Sequence, residues 1–489
     1  MTIQAYLSQI DETIAKGKYK ADGKSLMDYP RAKWFGEAKL GIFIHWGVYT
    51  VPEFFNEWYP REMYYRGCPT YWHHLEKYGK SFNYKDFIPM FTADKFNADE
   101  WLTLFRESGA KFIMPVGEHH DGFKMYESAL NRWNSVNMGP KRDFLAELRG
   151  ASEKNDMIFC TSSHRAEHYW FMNGGRTLPY DTDVKNPEYA DLYGPAVNAY
   201  KTNNLSMMLK SEKKITPDKA WLEDWLASSC ELIDRARPNA LFFDWWVCHA
   251  EGFHPYMEKF LAYYCNRSVE WGKDVLIFYK SDRFPYECVV LDQERGQLPD
   301  IYHKPWQCET ATARNAWSYT TVNKYKPSHE IIGNFIDVIS KNGTFCINVG
   351  PRADGSICAE DTAILQDIGS FTKTNAEAIW GTRPYKIFGE GKERAGGMFV
   401  ENYAYEAGEF RFTQSDDALY VFALVPAADG EYCVKSLADG KGKLERPIQK
   451  ATLLGSDTAV NFEMSADGLH LKAAQGQTGS LPVCFQLTL

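Results

Sequence analysis

Seven apolar runs of strand length punctuate the first 350 residues: LGIFIHWG (40–47), KFIMPVGE (111–118), DMIFCTSS (156–163), NALFFDWW (239–246), DVLIFYK (274–280), ECVVLD (287–292) and GTFCINVG (343–350). The runs are unbroken. Continuous apolar strands, as opposed to alternating ones, imply a sheet covered on both faces, as parallel sheets are. Helical patterns lie between several of them. NADEWLTLFRESG (97–109) has an Asn cap, acidic residues in its first turn and a closing Gly, and 141–155, 225–238 and 330–343 read similarly. Strand and helix in alternation over about 350 residues predict an α/β fold, a (β/α)8-like (TIM-type) barrel.

The texture changes near residue 385. GEFRFTQSDDALYVFALVP and GEYCVKSL alternate apolar and polar residues between Gly, Asp and Pro, the pattern of an antiparallel all-β sandwich. The expected division is a catalytic barrel over 1–380 and a C-terminal β-sandwich over 381–489, and a chain of 489 residues is long enough for two cores.

Bulk composition narrows the function classes. Apolar residues make up 44% and the net charge is −9, so a globular protein without a general nucleic-acid surface is expected. No run of about 18 apolar residues suggests a membrane span. The first twenty residues lack the apolar core of a signal peptide. The 11 cysteines show no CxxC spacing, which fits reduced, buried thiols in a cytoplasmic protein. Aromatic residues reach 15%. A large aromatic core accounts for them, and so does a site for ring-shaped ligands.

Polar chemistry gathers where the barrel strands end. His45 follows the first run, and Glu118, His119, His120 and Asp121 end or follow the second. His164, Glu167 and His168 follow the third, Asp244 the fourth and Lys280 the fifth, while Asp292, Glu294 and Arg295 follow the sixth. Active sites of such barrels form at the C-terminal strand ends. One strand-end histidine is ordinarily structural; ionisable groups at six ends point to a site. HxH, HExxH and CxxC spacings are absent, so no metal site is expected. GxSxG, GxGxxG and GxxxxGK[ST] are absent too, which leaves serine hydrolase, dinucleotide and P-loop readings without support. Two carboxylates on different strand ends, Asp244 and Glu294, suit a glycosidase, in which one attacks the anomeric carbon and the other handles the proton.

The stretches WFGEAKLGIFIHWGVYTVPEFFNEWY (34–59), GAKFIMPVGEHHDGFKMY (109–126), LFFDWW (241–246), LDQERG (291–296) and NGTFCINVGPRADGSI (342–357) resemble, in order, the α-L-fucosidases of glycoside hydrolase family 29. The resemblance implies a distorted barrel followed by a β-sandwich, a retaining, exo-acting hydrolase without a cofactor, and a fucosylated oligosaccharide or glycoconjugate as substrate. It makes Asp244 the nucleophile, where a strand-end cap is the bland alternative. It assigns His45, Glu57, Trp58, His119 and His120 to the fucose hydroxyls. Trp58 and Phe242 would cover the methyl-bearing face; Phe242 stands where one common form of the family has tryptophan. His164 and Glu167 in SSHRAEHYW are further subsite candidates, Lys280 lies where some members carry arginine, and Trp306 is a further substrate-binding candidate. Two residues compete as acid/base: Glu294, emerging at a strand end, is preferred over Glu309, read as part of a longer loop with Pro305 and Trp306. Arg295 reads as a salt-bridge residue. Retention predicts the two carboxyl groups roughly 5–5.5 Å apart. A carbohydrate-binding protein without catalysis, or a metal-dependent hydrolase, are the alternatives; turnover of an aryl fucoside excludes the first, and its survival in EDTA the second.

Overall fold

A computed structural model of the chain describes all residues except 200–214, 246, 248–251, 282, 402–403, 442, 445, 457–459 and 474–478. Eight parallel strands close into a barrel in sequence order: β1 (Leu40–Ile44), β2 (Phe112–Glu118), β3 (Ile158–Ser163), β4 (Ala240–Phe243), β5 (Leu276–Tyr279), β6 (Val289–Glu294), β7 (Trp306–Ala311) and β8 (Gly343–Val349). The ring shuts where Leu40 of β1 pairs with Phe345 of β8. Seven strands are the seven apolar runs. The eighth, β7, is WQCETA, whose inward positions hold Gln307 and Glu309. A strand with polar residues facing the barrel axis has no apolar run to betray it. The expectation that Glu309 lies in a loop is therefore corrected.

The barrel interior is stratified. Phe43, Phe112, Met114, Phe242, Leu276, Phe278 and Val290 form an apolar layer, closed at the N-terminal end by Phe35 of the helix Lys33–Ala38. Toward the C-terminal strand ends buried polar groups take over, among them Ser162, Lys280, Asp292, Gln307, Glu309 and Asn348. β2 carries a register shift between Val116 and Glu118, an irregularity that re-aims the end of a strand beside His119 and His120. Helices pack outside: Ala98–Glu107, Phe144–Lys154, Lys219–Ala236 and Ser328–Ser340 cover the four helical stretches legible in the sequence. Asn97 caps the first by accepting the backbone N–H groups of Asp99 and Glu100.

Beyond the barrel, β9 (Arg383–Glu390), β10 (Phe410–Gln414), β11 (Ala418–Ala423), β12 (Glu431–Val434), β13 (Lys450–Leu453), β14 (Asn461–Met464), β15 (Leu469–Lys472) and β16 (Val483–Thr488) form two antiparallel sheets. Their orders are β13-β16-β11-β10-β9 and β12-β15-β14. Phe412, Leu419, Val421 and Phe485 from the first meet Val434, Leu469 and Leu471 from the second in one buried core. The pair docks on the barrel helix Ser328–Ser340 through Arg411, whose Nε lies 2.5 Å from Asp337 Oδ1. Among the described residues no helix is long and apolar enough to cross a membrane.

Candidate active site

A pocket of about 190 Å³ opens at the C-terminal ends of the barrel strands, lined by His45, Glu57, Trp58, His119, His120, His164, Asp244, Trp245, Glu294, Glu309, Trp317 and Phe399. Larger depressions exist. One of about 490 Å³ runs between Arg314, Glu330 and Tyr405, and one of about 680 Å³ lies at the opposite barrel end beside Trp34 and Trp380. The first holds a single imidazole, His329, and a single carboxylate, Glu330, which is paired with Arg314, and the second holds no imidazole, whereas convergent polar groups in a concave site mark chemistry.

Asp244 directly follows β4. Its Oδ2 faces His164 Nδ1 at 3.2 Å and His120 Nε2 at 3.3 Å, and its Oδ1 lies 3.8 Å from Lys280 Nζ. Burial pushes this carboxyl upward, but His164, His120 and Lys280 outweigh it and hold the group well below the usual aspartate range. The two histidines are themselves fixed. His120 Nδ1 donates to the His164 carbonyl at 3.0 Å, and His164 Nε2 is 3.0 Å from Ser162 Oγ. Burial lowers the pKa of His164, opposed by Asp244. Neutral His164 can accept the Ser162 hydroxyl at Nε2 and donate from Nδ1 to Asp244.

Lys280 ends the β5 segment as a buried cationic hub. Nζ is 3.0 Å from Asp292 and 3.2 Å from Glu294, and it also contacts Glu309. Burial disfavours its charge, yet Asp292, Glu294, Glu309 and Asp244 raise it well above the ordinary lysine value. One cation cannot neutralise four buried carboxylates. Burial accordingly raises Asp292, Glu294 and, furthest, Glu309, with Lys280 opposing in each case. Glu294 ends β6 and accepts the Trp245 indole N–H at 2.7 Å. It is 9% exposed against 2% for Glu309, which sits opposite it in register on β7.

The remaining wall is largely aromatic, with two imidazoles and the Glu57 carboxyl. His45 Nδ1 donates to Asn348 Oδ1 at 2.7 Å, which leaves Nε2 as an acceptor; Asn348 is oriented by its own bond to the Trp317 carbonyl at 2.6 Å. His119 packs on Tyr49, ring centroids 4.5 Å apart, and its Nδ1 is buried with no partner among the described residues. Burial, reinforced by neighbouring imidazoles, depresses both His45 and His119 well below the ordinary histidine value, so both rings are neutral. Glu57 accepts the Trp317 and Ser318 backbone N–H groups at 2.8 and 3.4 Å, and burial raises it. Trp58 stands at the rim, 37% exposed, edge-on to His120.

Of the substrate-binding residues expected from sequence, His45, Glu57, Trp58, His119, His120 and His164 come together here. Adjacent His119 and His120 share the pocket because both lie past the end of β2, where strand alternation no longer applies. Four expectations are corrected. Trp306 opens β7 and is therefore at the far end of the barrel, fully buried, its indole donating to the Lys341 carbonyl at 2.9 Å. Lys280 is not a pocket wall but lies behind it, tied to carboxylates. Phe242 is fully buried in the interior layer, with Lys280 Nζ 4.8 Å from its ring centre. Glu167 is buried near Tyr65 and does not line the pocket. Arg295 makes the expected ion pair, to Glu401 at 3.0 Å.

Sequence reasoning missed Trp245, Trp317 and Phe399. Trp245 was findable, being next to Asp244; its neighbour Trp246 lies outside the described residues. Trp317 sits in the loop after β7, a strand without an apolar signature. Phe399 comes from beyond β9: its N–H donates to the Glu294 carbonyl at 2.9 Å and its ring stacks on Trp245 at 6.3 Å. Only the return of that segment to the barrel mouth makes it a site residue.

The groups able to hold a cation here are His45, His119 and His164, or His120, His164 and Asp244, each set having ligand atoms within 4.8 Å of one another. They are the atoms that surround Asp244 and face the cavity, so a cation would displace whatever binds beside that carboxylate.

Residues 6–377 match the family model described as Alpha-L-fucosidase. The chain is 29% identical over 394 residues to the tissue alpha-L-fucosidase of Mus musculus, covering 77% of each protein. It is 28% identical over 494 residues to that of Homo sapiens, covering 96% of this chain and 91% of the human one. A solved Thermotoga maritima alpha-fucosidase in complex with fucose shares its fold, with a TM-score of 0.74 at 23% identity over 96% of this chain and 100% of that one.

Proposed function

Because the chain belongs to the alpha-L-fucosidase family and is thus a glycoside hydrolase acting on fucosylated substrates, we propose that Asp244 and Glu294 carry the two displacements of its retaining mechanism. The observation that supports this assignment is the opposed titration of two carboxyls beside one lysine: Asp244 is held ionised while Glu294 is raised. Environments that push two such groups apart define base or nucleophile on one side and acid on the other.

In the first step an Asp244 oxygen attacks the anomeric carbon, the glycosidic bond breaks, and Glu294 gives its proton to the departing oxygen. The product is a fucosyl ester of Asp244. In the second, ionised Glu294 takes a proton from water, the water oxygen attacks the same carbon, and Asp244 leaves as a carboxylate. His45 Nε2, neutral His119 and Glu57 offer acceptors to sugar hydroxyls, and Trp58 and Trp317 offer apolar faces. The pocket is small and ends on the Lys280 cluster, which suits a terminal residue and an exo-acting enzyme. The ten described cysteines are all free and eight are buried, which favours a reducing compartment such as the cytoplasm.

The experiment that tests the mechanism is NMR of the first-formed sugar. α-L-Fucose is expected before mutarotation; initial β-anomer would replace double displacement by a single one. The role of Lys280 has its own signature. It lowers both Asp244 and Glu294, so in Lys280→Met both pKa values rise and both limbs of the kcat/KM pH profile move to higher pH. A limb that stays in place or moves down contradicts the electrostatic role.

A further inference from the structure

The sandwich carries a second convergence of ligand-type atoms, on the outer face of the β12-β15-β14 sheet and outside the pocket. Cys433 of β12, His470 of β15 and Glu463 of β14 form one row, with His470 the register partner of both. Asp467 reaches the row from the turn before β15. His470 Nε2 is 3.0 Å from Asp467 Oδ1 and 3.9 Å from Cys433 Sγ, and one ligand atom from each of the three residues lies within 4.8 Å of the others. We propose that Cys433, Asp467 and His470 form a binding site for a divalent transition-metal cation of the zinc type.

Two alternatives fit less well. In a nucleophile–histidine–carboxylate relay the thiol and the carboxylate use different ring nitrogens; here both face Nε2, so the three atoms surround a point instead of forming a chain. A plain His–Asp surface pair would not need the thiol. Yet the turn approaches the sulfur closely: a Cβ on Gly468 would lie 2.5 Å from Cys433 Sγ, so glycine there leaves the thiol in its present rotamer. The dimensions agree with tetrahedral zinc, whose bonds of about 2.0–2.3 Å set ligand atoms about 3.3–3.8 Å apart. The observed 3.0 and 3.9 Å straddle that edge and need only small rotamer adjustments.

The turn is rigid enough to serve. Ser465 N–H donates to the Gly468 carbonyl at 3.0 Å, Gly468 N–H lies 3.4 Å from Ser465 Oγ, and that hydroxyl donates to Asp467. The Ser465 hydroxyl and His470 Nε2, the latter 3.0 Å away, fix the position of the Asp467 carboxylate. Because the thiolate is the ligand, metal binding must displace the Cys433 proton to solvent. Glu463, across the row from His470, or solvent is available for the fourth position.

Cobalt(II) is the discriminating probe, because sulfur ligation gives a near-ultraviolet thiolate-to-metal band that the pocket histidines cannot produce. Titrating the chelator-treated full chain with Co²⁺ under reductant should give one such band per chain. It should vanish in Cys433→Ser and require at least tenfold more metal in His470→Ala and Asp467→Asn. Zn²⁺ should raise Tm of the wild type more than that of Cys433→Ser, with fucosidase turnover of the variant unchanged. No thiolate band in the wild type, or a band that persists in Cys433→Ser or is equally tight in His470→Ala, overturns the site.

Discussion

Asp244→Gly should lower turnover of an aryl α-L-fucoside by about a thousand-fold or more, on the order of 4 kcal/mol of barrier. The substitution removes the atom that forms the ester and little else. His120 keeps its bond to the His164 carbonyl and His164 keeps Ser162, so the pocket retains its shape. Circular dichroism and Tm should therefore stay near the wild type. The space left by the carboxylate admits azide or formate, which would attack the α-fucoside from the face Asp244 occupied. The product is then the β-L-fucosyl azide, formed by one inversion. Wild-type-like turnover in purified Asp244→Gly rules out the nucleophile assignment.

Glu294→Ala should separate by substrate. A natural oligosaccharide has a basic leaving oxygen that needs a proton, so its hydrolysis should fall by roughly a hundred- to ten-thousand-fold, the range of general acid–base catalysis. An aryl fucoside with an acidic phenol leaves unaided, so the fucosyl-enzyme still forms and accumulates because no base activates water. Azide needs no base and should restore turnover, this time giving the α-L-fucosyl azide, since two inversions have taken place. The anomer of the azide thus tells the two carboxylates apart. Glu309→Ala should show no rescue, because Glu309 is the deeper of the two pocket glutamates and is locked to Lys280. Rescue of Glu309→Ala with none for Glu294→Ala would exchange the two roles.

The geometry explains why these two glutamates competed in the sequence. They occupy paired positions on neighbouring strands, Glu294 on β6 and Glu309 on β7, and both reach Lys280. What distinguishes them is depth and the Trp245 bond, neither of which has a linear signature.

The barrel itself was legible because a parallel strand covered on both faces must be apolar throughout, and seven of eight strands obey that rule. The positions of His45, His119, His120, His164, Asp244 and Glu294 were legible for a related reason: a polar residue closing an apolar run can only be where the strand leaves the core. Local chemistry carried these assignments, and the family motifs supplied roles that spacing alone does not. The rest depended on elements far apart in the chain meeting in space. β7 escaped because its inward side chains are spent on Lys280 and Asp292. Trp306 was misplaced because a sequence does not say which end of an unrecognised strand faces the site. Trp317 and Phe399 arrive on loops fixed by distant partners, among them the backbone bond from Phe399 to Glu294. The split between an ionised Asp244 and a raised Glu294 exists only in the fold, because it is set by burial and by one lysine shared among four carboxylates from three strands.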